Sequence, residues 1–159
     1  MKAIHWIIAA AALAFVQAVP ASAGVNDPEV IIYRGSGVLD NGGADFSGLA
    51  TAFHCTNFSG VNENIRFVIR TNLGALVANG AIAVPHLNTL TVLTKDAALF
   101  LSGTRLILGT GAVELGTVAI AATSINVTCT AMLFQANTNT PAGIALHMTR
   151  FNPIAGTQE

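Results

Sequence analysis

Charge is scarce in this chain. Lys and Arg number seven, Asp and Glu eight, in 159 residues, and the formal net charge is −1. A nucleic-acid binder needs a basic patch or stripe, often with interleaved aromatics, and the scattered arginines offer none. Nucleic acid is therefore excluded as a partner. Local catalytic motifs are also missing: no G-x-S-x-G, S-x-x-K or H-E-x-x-H occurs. A serine, histidine and aspartate can still meet in space without a local motif. Helical periodicity is absent after the N-terminus, and the single tryptophan, Trp6, lies in the only long apolar run.

That run extends from Ile4 to Val19, follows Lys2, and ends in Pro20 and the small-residue triplet Ala21-Ser22-Ala23. This is the layout of a secretory signal peptide, residues 1–23, with cleavage after Ala23. Interrupted by His5 and Gln17, the run is short for a membrane span, which needs about 20 apolar residues. No cysteine follows it directly, so no lipid anchor is expected. Residues 24–159 then form one domain without a membrane anchor, and the loss of Lys2 takes the net charge to −2. Secreted or periplasmic localisation follows. Few charges and much Thr, Asn and Gly describe a neutral surface but name no partner.

Period-two alternation recurs through the mature chain, broken by clusters such as "SGVNEN", "PHLN" and "NTNTPAG". Strands are expected at 30–34, 48–57, 65–71, 75–79, 81–84, 89–94, 118–122, 125–135 and 143–151. Gly74 in "NLG" can supply the positive φ of a tight hairpin. Within 95–116 the assignment is open, and "DAALFLSG" can form a helical turn. About seven to nine short strands without helices predict an all-β fold, an antiparallel two-sheet sandwich.

In "IRFVIR" the alternation turns Ile65, Phe67 and Ile69 inward and Arg66 and Arg70 outward. Cys55 shares its phase with Phe53, and Cys129 with Val127 and Ala131, so both cysteines face the core. In an oxidising compartment such a pair is most simply a disulfide. The separation of 74 residues resembles the inter-sheet bridge of immunoglobulin domains, with Phe67 in the place of the core aromatic that packs on it. The tyrosine expected two residues before the second cysteine is Val127, so the likeness stops at an Ig-like sandwich.

The segments "ATAFHCTNFSG", "RFVIRTNLGALV", "PHLNTLTV", "AATSINVTCTAML" and "GIALHMTRFNP" together resemble a group of small exported bacterial proteins known only as uncharacterised sequences. That resemblance implies an exported β-sandwich. It transfers no activity, ligand or catalytic residue.

Four chemical readings compete with a purely structural one. A blue-copper centre needs two histidines and a cysteine converging with a weak axial ligand. Here the nearest histidine after Cys129 is His147, too distant to share one short loop with it, and Cys55 is the better partner for Cys129. His54 and His147 alternate outward on sheets whose outer faces point apart, while His86 sits in a turn, so scattered surface histidines are expected and no metal site. Asp40, Asn41 and Asp45 in "LDNGGADFSG" offer oxygen ligands of the kind Ca²⁺ takes, without EF-hand spacing, and calcium stays open there. Asn57 and Asn126 head formal glycosylation sequons, read here as chance matches.

The expectation is a non-enzymatic structural or binding module of the cell envelope or extracellular space, without a cofactor, whose partner is an envelope or extracellular protein or a glycan. The alternative is an extracytoplasmic hydrolase-like enzyme with a site built from loop residues. A pilus subunit is disfavoured, because "FNPIAGTQE" lacks the alternation of a donor strand.

Overall fold

The computed structural model describes residues 28–140 and 142–151. The expected signal peptide and the tail beyond Phe151 lie outside them. Ten strands are described: β1 (Val30–Asp40), β2 (Leu49–Asn57), β3 (Glu63–Arg70), β4 (Leu76–Val84), β5 (Thr89–Leu93), β6 (Thr104–Ile107), β7 (Val113–Ala122), β8 (Val127–Gln135), β9 (Gly143–Leu146) and β10 (Met148–Arg150). They form two five-stranded sheets, ordered β10-β1-β7-β3-β4 (sheet A) and β6-β5-β2-β8-β9 (sheet B). The expected β-sandwich is the observed one.

The count differs from the sequence reading in three places. The two segments at 75–79 and 81–84 form one continuous β4 across Gly80, and β6 arises inside the region left open. The segment expected at 143–151 divides at His147, passing from the edge of sheet B to the edge of sheet A. A fourth difference concerns direction. β5 and β6 pair in parallel, because the connection through 94–103 crosses the sheet before returning, so the sandwich is not wholly antiparallel. That crossover holds a short 3₁₀ turn, Ala98–Phe100, where "DAALFLSG" allowed a helical turn.

Alternation builds the core as expected. Ile65, Phe67 and Ile69 of β3 are fully buried, while Arg66, Val68 and Arg70 point away from sheet B. With Ile32, Phe53, Leu90, Val92, Val118 and Ile120 they fill the space between the sheets. β2 is covered on both faces. Phe53 and Cys55 face this core, whereas Ala50 and Ala52 lie in a second apolar cluster with Leu93, Ala97 and Phe134, roofed by Leu99 and Phe100 of the crossover. Gly74 has φ 85°, and its N–H donates to Thr71 O, which closes the β3–β4 hairpin as the sequence indicates.

Candidate functional site

Cys55 and Cys129 are disulfide-bonded, with Cα atoms 4.1 Å apart. The bridge departs from expectation in one respect: it does not join the two sheets. β2 and β8 run antiparallel in sheet B from Leu49↔Gln135 to Asn57↔Val127, and this register sets Cys55 directly opposite Cys129. Chain separation alone cannot distinguish a cross-strand pair from an inter-sheet pair. Phe67 reaches the same buried cluster from sheet A, its ring 5.7 Å from that of Phe53. With both sulfurs bonded to each other, neither is a thiolate for metal binding or nucleophilic attack.

Opening the bridge with Cys55→Ala/Cys129→Ala frees a long loop in the unfolded chain. We expect it to cost about 2–4 kcal/mol in denaturant unfolding, less than a full loop-entropy term because residual structure in the unfolded chain reduces the freedom that the cross-link removes. A loss below about 0.5 kcal/mol would show that the cross-link does little for stability.

The three histidines among the described residues stay apart, in different settings. His54 points outward from β2, as expected, yet it is not a free surface residue. Its Nδ1 lies 3.1 Å from Thr91 Oγ1, and the Phe100 ring stands edge-on at 4.9 Å. Burial holds its imidazole below the ordinary histidine value. The unfolded chain therefore binds that proton more readily than the folded one, and stability from this group, complete above pH 6.5, is lost as pH falls below it. Chemical unfolding between about pH 7.5 and about pH 5.5 should show a loss of stability that is smaller in His54→Gln. Equal slopes would remove His54 as the cause. In the 85–88 turn, His86 Nδ1 accepts the Gly60 N–H at 3.0 Å. His147, exposed, marks the change of sheet between β9 and β10. Among the described residues, no three side chains of the His, Cys, Asp and Glu types are grouped to hold a metal.

The 40–48 loop does gather oxygens around a cation, and that cation is Lys95. Its Nζ lies 2.8 Å from Asp40 Oδ1 and donates to Gly42 O at 2.5 Å, Asn41 Oδ1 at 3.2 Å and Ser47 O at 3.3 Å. Both partners are almost fully buried, with side-chain exposures of 6% and 1%. Asp40 also accepts from Gly42 N and Thr110 Oγ1, and Asp45 Oδ1 accepts the Asp96 N–H. The ligand set read as a possible calcium loop is thus organised by an internal ammonium, and Asp45 is turned to a different task. Asn57 is committed as well. It is fully buried, and its Nδ2 donates to Val61 O and Val84 O, so it is no glycan acceptor in the folded protein.

A concave surface that carries cationic side chains lies on the outer face of sheet A. The register places Arg34, Ala119 and Val68 in one row and Ser36, Thr117 and Arg70 in the next. Small side chains on the central strand β7 leave a trough between longer ones on β1 and β3. It holds about 430 Å³ and is lined by Arg34, Ser36, Val68, Arg70, Thr117 and Ala119, closed at one side by His147 and Thr149. None of the lining residues is acidic. Outward alternation in "IRFVIR" already exposed Arg70. Arg34 was readable only as the last residue of a strand, since nothing local to it says which strand lies two places away.

No family model, curated protein or solved structure matches the chain.

Proposed function

We propose that this protein is an exported, non-enzymatic binding module of the envelope or extracellular space, and that it works through the outer face of sheet A. One observation carries the reading: the trough is a concave surface of mixed polarity, flanked by two arginines, at the centre of a sheet. Its strands β1, β7 and β3 each have neighbours on both sides, so its shape is set by paired backbone. Binding residues held on such a scaffold lose little entropy on contact. The disulfide supports export, because such bonds persist in oxidising compartments. The apolar run ending in Ala21-Ser22-Ala23 supports it independently.

Affinity capture of the mature protein against envelope extract and a glycan panel tests the reading. A specific protein or sugar, retained by the wild type, is the expected result. Turnover of a small substrate, or no retention of any component, would overturn it.

A further inference from the structure

We infer that the trough on sheet A binds an acidic polysaccharide, with Arg34 and Arg70 engaging successive carboxylates along the sugar chain. The inference rests on the binding-module reading and specifies its ligand.

The described residues contain six Lys and Arg, and three of them are neutralised internally: Arg66 by Glu29, Lys95 by Asp40 and Arg105 by Asp96. Arg34 and Arg70 have no carboxylate partner among the described residues. The Arg34 guanidinium lies 5.5 Å over the Phe151 ring, and Arg70 donates one N–H to Gly74 O at 3.0 Å. Most of their donors therefore remain open to a ligand. In a protein this poor in charge, two such forks on one acid-free groove are a focus of positive potential. The planar guanidinium fork matches a carboxylate with two parallel hydrogen bonds.

The spacing suits an anion that carries repeated charges. Arg34 and Arg70 sit on β1 and β3, separated by β7 and offset by one outward position along the strands. Standard strand spacings put their Cα atoms about 12 Å apart. Forks carried on Cα atoms this far apart can each take a separate carboxylate, so a chain with repeated charges can engage both at once.

The remaining lining decides between sugar and peptide. Ser36, Thr117 and Thr149 offer hydroxyls that can donate and accept, matching the hydroxyls of a sugar, and Val68 and Ala119 form a flat apolar floor. An acidic peptide would need other features. The trough runs over interior strands whose backbone groups are already paired, so a peptide cannot add as a further strand.

The test is calorimetric titration of the full mature protein with four polymers: polygalacturonate, its fully methyl-esterified form, polyglutamate and polyphosphate. Binding to polygalacturonate is expected, weakening as salt is raised. Esterification, which keeps the sugar and removes the charge, should reduce affinity about tenfold or more. Arg34→Gln/Arg70→Gln should do the same, and because both side chains lie on the outer face its unfolding midpoint should match the wild type. Equal or tighter binding of polyglutamate or polyphosphate would overturn the sugar assignment. Unchanged affinity in the double variant, or no binding of polygalacturonate, would overturn the site. If neutral glycans or an envelope component bind regardless of the two arginines, the inference falls and the binding module stands.

Discussion

Lys95→Met should unfold about 3–5 kcal/mol more easily than the wild type, the cost of stranding one member of a buried ion pair. The substitution removes the cation 2.8 Å from Asp40 and leaves a carboxylate with 1% exposure supported only by Gly42 N and Thr110 Oγ1. It also frees Gly42 O and Ser47 O, so the 40–48 loop loses the centre on which it closes. The double variant Asp40→Asn/Lys95→Met separates charge from packing. If the uncompensated carboxylate causes the loss, the double variant recovers a large part of it, because no buried charge remains. Denaturant unfolding of the four members of the cycle measures this directly. Additive losses would mean that the ammonium acts through its loop carbonyls alone.

Phe67→Ala should cost about 3–5 kcal/mol, the range for truncating a core aromatic. The ring is fully buried and stands 5.7 Å from Phe53 across the sandwich, in the cluster that contains the disulfide. Sheet A supplies Phe67 and sheet B supplies Phe53, so the cavity opens at the contact between the sheets. Collapse of backbone into it is resisted by the Ile65↔Ala122 and Ile69↔Val118 pairings on either side. Urea unfolding is the measurement. A loss of about 1 kcal/mol or less would show that the sheets close up over the missing ring.

Phe67 and Lys95 also mark the boundary of what the sequence made legible. The burial of Phe67 follows from alternation, a local property of "IRFVIR", and the same logic located both cysteines on the inner face. Which strand lies beside which is a non-local property. The sequence therefore paired Cys55 with Cys129 but placed the bond between sheets, where the β2–β8 register puts it within one.

Lys95 was unreadable for a related reason. It begins a stretch without clear period, and its role depends on Asp40, Asn41 and Ser47 about fifty positions earlier. The same stretch hides β6 and the 3₁₀ turn that covers His54, which turned an outward histidine into a half-buried one. The trough combines both kinds of information. Arg70 was visibly outward, but its convergence with Arg34 requires β7, the latest of these strands in the chain, to lie between β1 and β3.

Amide chemical-shift mapping during titration with polygalacturonate tests the central claim most directly, because it reports where the protein binds. The amides expected to move first and furthest belong to the outer face of sheet A, with Arg34, Ser36, Val68, Arg70, Thr117 and Ala119 among them. Shifts confined to the outer face of sheet B around His54 and Phe100, or to the 58–62 and 85–88 loops, would contradict it.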